Sequence, residues 1–152
     1  MSYEFKMKRR IEFADTDMAG IMHFANFFRH MEVTEHEFYR SLGLSVHPRQ
    51  EGQIIGWPRV SVSCDYKAPL HFEDEVEIHL LVREKRSKSI TYTVVFHKIA
   101  DGQRVEVACG SMTVVSVTFD LATRAMKAVS IPRAFADKIE VAPKELFIEE
   151  VK

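Results

Sequence analysis

"FADTDMAGIMHFANFFRHME", residues 13–32, sets two aspartates one position apart, Asp15 and Asp17, ahead of Gly20 and a run of apolar residues at helical spacing. Phe24, Phe28, Met31, Phe38 and Leu42 recur at intervals of three, four and seven, and Phe27 widens the stripe. Charged Arg29, Glu32, Glu37 and Arg40 take other faces, and Gly43 offers a C-terminal cap. The spacing predicts one long amphipathic helix over 24–42.

The aspartates therefore stand just upstream of a helix start. Amides of a first helical turn lack intrahelical acceptors and carry the positive end of the helix dipole. Those donors fall near His23, Phe24 and Ala25. A carboxylate beside them is half of an acyl-transfer site: the donors hold a carbonyl oxygen while the acid attacks it or activates water. A simpler role, Asp15 or Asp17 capping the helix or the turn, accounts for the same spacing. Gly20 suits either a turn at positive φ or the close approach of a ligand.

Outward from this stretch the pattern changes period. Residues 4–13, "EFKMKRRIEF", read as a strand, and from residue 60 onward the chain alternates with period two. Val60, Val62, Cys64 and Tyr66 alternate with Ser61, Ser63, Asp65 and Lys67 and are expected to face inward; Val76–Val82, Ile90–Phe96 and Val105–Phe119 repeat the pattern. Asp101 and Gly102 mark a hairpin turn. The 105–119 run would extend about 50 Å at ~3.3 Å per residue, too long for a flat sheet in a small domain, so the sheet must curl. The expected class is α+β, a strongly curved antiparallel sheet wrapped around one long central helix. Pro132 in "SIPRAFADKIE" predicts a short terminal helix.

The chain has 152 residues, taken as a single domain, 1–152, with 46% hydrophobic and 28% charged residues. Lys plus Arg is 21 and Asp plus Glu 22, a formal net charge of −1, so charge alone asks for neither nucleic acid nor an anionic membrane. The opening "MSYEFKMKRR" has no apolar export core and no run is long enough to span a membrane, so the expectation is a cytoplasmic protein. Cys64 and Cys109, at inward strand positions, read as buried free thiols.

The stretch "RIEFADTDMAGIMHFANFFR" closely resembles the active-site segment of the hotdog-fold acyl-CoA thioesterases, of the 4-hydroxybenzoyl-CoA thioesterase type. Arg10, Ile11, Glu12, Phe13, Asp15, Asp17, Ala19, Gly20, Ile21 and Asn26 carry the match. The resemblance implies a hotdog fold and hydrolysis of a coenzyme A thioester, 4-hydroxybenzoyl-CoA or another aromatic acyl-CoA being one option. It assigns the catalytic carboxylate to Asp17 and the carbonyl-polarising main-chain N–H to Phe24. A related branch has histidine where this chain has Phe24 and sometimes tyrosine where it has Phe13, so that branch's histidine-assisted mechanism is not implied. His23 either lines the acyl pocket or packs without a ligand role; Trp57 and the helix aromatics either border the pocket or belong to the core. Glu32 either reaches the acyl group or is a solvated carboxylate.

"REKRSKS", residues 83–89, sits between two predicted strands. A charged turn is ordinarily solvated. In similar thioesterases this hairpin contacts the CoA nucleotide at a subunit boundary, and Arg86, Ser87, Lys88 and Ser89 match it. The resemblance also implies pockets shared between subunits, hence a dimer or a dimer of dimers. No metal-ligand spacing appears among the seven histidines, and no cofactor is expected, since coenzyme A belongs to the substrate. Two rivals share the fold: a non-catalytic acyl-CoA or acyl-carrier-protein binding module, against which Asp17 speaks, and a dehydratase, for which no suitably placed histidine is found.

Overall fold

The computed structural model describes residues 1–50 and 52–151, with the backbone alone at 50 and 148–151. Five antiparallel strands form the main sheet. β5 (Glu75–Lys85) pairs with β1 (Glu4–Arg10) on one side and with β6 (Ser89–Ala100) on the other; β7 (Gln103–Val115) follows, and β4 (Arg59–Tyr66) forms the far edge. Alternate residues of the central strands, Val76, Ile78, Leu80 and Val82 of β5 and Ile90, Tyr92, Val94 and Phe96 of β6, are buried. They pack in one core with helix α1 (Phe24–Ser41).

Curvature comes from register shifts at Arg59/Ser61, Val82/Glu84 and Phe96/His97, which bend strands and raise their twist. Gly110 of β7 lets α1 settle on the sheet, because a Cβ there would overlap the Met31 side chain and lie 3.2 Å from the Ser63 carbonyl oxygen. This is the arrangement that the resemblance implies.

Four expectations need correction. The 105–119 run is not one strand: it breaks at Ser116, whose N–H donates to Lys88 O (2.7 Å), and continues as β8 (Val117–Asp120) in a second sheet. That sheet, ordered β2 (Arg49–Gln50), β3 (Gln53–Gly56), β8, β9 (Met126–Ala128), was not anticipated. The α1 core face keeps Phe27, Met31 and Phe38, with Phe28 and Leu42 partly buried against it, and extends to His30, Thr34, Glu35 and Tyr39, while Phe24 is 62% exposed.

The third correction concerns β4. Val60, Val62 and Tyr66, expected inside, are largely exposed: β4 is the far-edge strand, and the described residues cover its side chains only in part. Cys64 and Cys109 are half-buried rather than buried. Burial pushes the Cys64 thiol up to about 11, which makes it a poor nucleophile at neutral pH. The short helix appears as α2 (Arg133–Ala136), with Pro132 at its N-cap. No helix among the described residues is long and apolar enough to cross a membrane.

Candidate active site

After β1 the chain is fixed before the aspartates begin. Ile11 N donates to Asp74 O (2.9 Å) and Glu73 N to Ile11 O (2.9 Å), which locks the buried Ile11 against the turn before β5. A single 3-10 turn, Phe13–Asp15, follows. Asp15 accepts the Glu12 N–H at Oδ2 (2.8 Å), and its main-chain oxygen accepts both His23 N–H (2.8 Å) and Asn26 Nδ2–H (2.8 Å). Of the two aspartates, Asp15 thus takes the structural role and ties the turn to the start of α1.

Asp17 lies in the loop that Asp15 anchors. Its N–H donates to Ile21 O (2.9 Å), Gly20 N donates to Asp17 O (3.0 Å), and Thr16 bridges Met22. Gly20 holds φ +79°, and a Cβ there would meet nothing within 4 Å, so the backbone conformation is what calls for glycine. Asp17 Oδ1 accepts the Ala19 N–H (2.8 Å); Oδ2 accepts nothing among the described residues.

Helix α1 begins beside this loop. His23 is its N-cap: the imidazole Nδ1 accepts the Ala25 N–H (3.2 Å) and the ring stacks on Phe24 at 4.6 Å. The Phe24 N–H has no acceptor among the described residues. On its other side the Phe24 carbonyl accepts the Tyr66 hydroxyl (3.0 Å). A cleft of about 470 Å³ is lined by Asp17, Ile21, Met22, Phe24, Phe27, Tyr66 and residues 67–69. Asp17 also borders a second cleft, of similar size, with Phe13, Met18 and Phe72 in its walls. A carboxylate between two clefts, beside an unengaged helix-terminal amide, suits a substrate with a polarisable carbonyl at the junction of two arms.

The other predicted residues are distributed more widely. His23 caps the helix and does not line either cleft. Glu32 is exposed, with its carboxylate 3.8 Å from Arg59. Trp57 is 2% exposed and packs on Tyr39 (5.6 Å) and Phe135 (5.0 Å). Tyr39 is roughly 22 Å along α1 from Phe24 at 1.5 Å per residue, so Trp57 belongs to the core at the opposite end of the helix.

The 83–89 segment is the β5–β6 hairpin. Lys85 is drawn inward, its ammonium donating to Ala136 O (3.0 Å) and Ile139 O (2.6 Å) behind α2. Arg86 pairs with Glu84 (3.0 Å) on the surface; Lys88 is exposed, with no partner for its ammonium among the described residues. Ser87 and Ser89 contribute main-chain oxygens, accepting from Ile131 N (2.8 Å) and Arg86 N (2.8 Å). The hairpin stands at the far end of β5 from the turn that holds Ile11. It is roughly 30 Å from the Asp17 loop of the same chain at ~3.3 Å per residue.

Sequence reasoning missed Tyr66 as a cleft residue and the buried acids and bases on α1. His30 is 4% exposed, with Nε2 3.2 Å from Asp15 Oδ1. Glu35 is fully buried; Arg59 lies 3.3 Å from one of its oxygens, and the other has no partner among the described residues. Burial pushes the Glu35 carboxyl up to about 7, against the opposing pull of Arg59. The signal for Glu35 was the four-residue series Phe27, Met31, Glu35, Tyr39, which places it on the core face.

The sequence pattern of the thioesterase-like superfamily matches residues 11–139. A provisionally named esterase of Aquifex aeolicus (strain VF5) is 34% identical over 96 residues, covering 62% of this chain and 73% of that protein. The 4-hydroxybenzoyl-CoA thioesterase of Pseudomonas sp. (strain CBS-3) is 31% identical over 91 residues, covering 59% of this chain and 64% of that one. Among solved structures, a 4-hydroxybenzoyl-CoA thioesterase variant complexed with 4-hydroxybenzoyl-CoA superposes with a TM-score of 0.79 at 20% identity, over 91% of this chain and all of that one, which establishes the shared hotdog fold.

Proposed function

The chain belongs to the thioesterase-like superfamily, and from that membership we propose that it hydrolyses acyl-CoA thioesters, with Asp17 as the catalytic carboxylate and the Phe24 amide as the electrophilic donor. The observation that carries this is that Asp17 and the helix start at Phe24, its N–H unengaged, border one cleft. A thioester carbonyl placed there receives the Phe24 N–H on its oxygen, where negative charge develops. Asp17 then adds to the carbonyl carbon or takes a proton from the water that does so. In the first case the thiolate departs and water cleaves the resulting anhydride; in the second the thiolate departs from the water adduct. Both give a carboxylic acid and coenzyme A. A thiol of pKa roughly 8.5 leaves without a dedicated general acid, which fits so sparse a site.

The acyl group is proposed to be aromatic. Phe24, Phe27 and Tyr66 wall the cleft, and the Pseudomonas relative is named for an aromatic acyl-CoA. The working unit is proposed to be a dimer. The hairpin bearing Arg86, Ser87, Lys88 and Ser89 is too far from Asp17 of its own chain for both to serve the same substrate conveniently. The open β4 edge, with Val60 62% and Val62 48% exposed, offers an antiparallel seam to a second copy. Such a seam brings the partner's hairpin toward the Asp17 cleft, where its cations meet nucleotide phosphates.

Thiol release from a panel of aromatic and aliphatic acyl-CoA substrates tests the activity. Asp17→Asn keeps the acceptor for Ala19 N–H, so folding and ligand binding are retained while turnover falls by about 10²- to 10⁴-fold. Near-normal turnover in that variant overturns the assignment of Asp17; binding without thiol release by the native chain favours a non-catalytic acyl-CoA module.

A further inference from the structure

We propose that His30 is a positioning residue: its imidazole holds the Asp15 carboxylate and, through it, the loop and helix start that present Asp17 and the Phe24 amide. The inference rests on the thioesterase site described above, to which it adds a residue that does not face the clefts around Asp17.

Asp15 is the joint of that site. Its carboxylate takes the Glu12 N–H, its main-chain oxygen takes the His23 and Asn26 donors, and Asp17 follows two residues later. The direction of the Phe24 N–H depends on His23, whose own N–H is held by Asp15. Any rotation of Asp15 therefore moves the carboxylate and the amide donor relative to one another.

One oxygen of Asp15 remains after the Glu12 contact, and it faces His30 Nε2 at 3.2 Å. A carboxylate only accepts, so Nε2 carries the proton and the imidazole donates. His30 lies on the second turn of α1, nearly enclosed, and its Nδ1 is buried with no partner among the described residues. A neutral ring leaves only a lone pair unmatched there, whereas an imidazolium would strand a buried N–H. Burial lowers the His30 pKa despite the opposing pull of Asp15, and the surrounding charges divide: Arg9 of β1 and Arg29 of α1 border the same small cavity, and Glu12 lies on the turn. A neutral, proton-donating His30 is thus a fixed strut.

Kinetics and nitrogen NMR on the full chain test the proposal. With 4-hydroxybenzoyl-CoA as probe, His30→Leu lowers kcat about 10- to 100-fold, as small misplacements of reacting groups do, and leaves KM within about threefold. His30→Gln, whose side-chain amide still donates to Asp15, recovers most of the loss. Native kcat in the leucine variant, or a glutamine variant no better than leucine, overturns the proposal. Should the leucine variant not fold, His30→Asn, whose amide stops short of Asp15, takes its place with the same expectation. Histidine 15N spectra report the Nε2–H tautomer for the signal lost in His30→Gln; an Nδ1–H tautomer overturns the pair whatever the kinetics. If instead Asp17→Asn turns over normally, the assignment of Asp17 fails while the tautomer still reports on His30 and Asp15.

Discussion

The Tyr66 hydroxyl donates to the Phe24 carbonyl at 3.0 Å, joining the last residue of β4 to the first residue of α1. The contact braces, through its carbonyl, the residue whose N–H stands unengaged at the helix start. It also makes the position of that donor depend on an edge strand.

Tyr66→Phe removes one hydrogen bond and keeps the ring against Phe27, 5.0 Å away. The expected outcome is a loss of about fivefold in kcat, the equivalent of ~1 kcal/mol, with little change in thermal midpoint. Steady-state thiol release and a melting curve check it; an unchanged kcat means the helix start is held without this brace.

Glu35 gives the protein a pH-dependent stability. Its folded pKa, about 7, lies above the usual 4.5, so the folded chain holds a proton that the unfolded chain has released. The contribution is full below about 4.5, declines as pH rises through the window to 7, and is flat above it, a total on the order of 3 kcal/mol. Urea unfolding at pH 5 and pH 8 measures the slope, and Glu35→Gln should flatten it. Equal slopes in both proteins would show that Arg59 keeps Glu35 ionised throughout.

Val62→Lys places a charge on the β4 edge without disturbing the core, since Val62 is already 48% exposed. Sedimentation should show monomers, and turnover should vanish although Asp17 is untouched. A variant that sediments like the native chain and stays active assigns the seam elsewhere.

Lys88→Ala removes an exposed ammonium that nothing among the described residues of its own chain engages. KM for a coenzyme A thioester should rise about 3- to 10-fold, the rise shrinking with added salt. KM for a pantetheine thioester, which lacks the nucleotide, should not move. Equal effects on both substrates argue against a phosphate contact.

Much of the main sheet and the long helix was legible, because alternation and helical spacing report local geometry. What periodicity does not carry is the identity of the cover. Val60 and Val62 alternate as core residues do, yet the described residues leave about half of each uncovered; an open strand can alternate just as one buried at home does. His30 and Glu35 occupy core positions because Asp15 and Arg59, 15 and 24 residues away, reach them, and pairings at that separation leave no local trace. Ser116 hid its break for a related reason: the period continues across it although the sheet does not. Phe24 looked apolar and central but starts the helix at the rim, where its backbone matters more than its ring. The motif singled out Asp17, which lines a cleft, while the inward role of Asp15 needed the three-dimensional contacts.

The separation between the Asp17 loop and the 86–89 hairpin within one chain has a genetic corollary. In the dimer proposed above, two defective alleles, one lacking the carboxylate and the other the hairpin cations, damage opposite halves of each shared pocket. Co-expressed, they form mixed pairs in which one pocket inherits both defects and the other neither. Random assortment then restores roughly a quarter of the pockets, so at low substrate the two alleles together would outperform either alone.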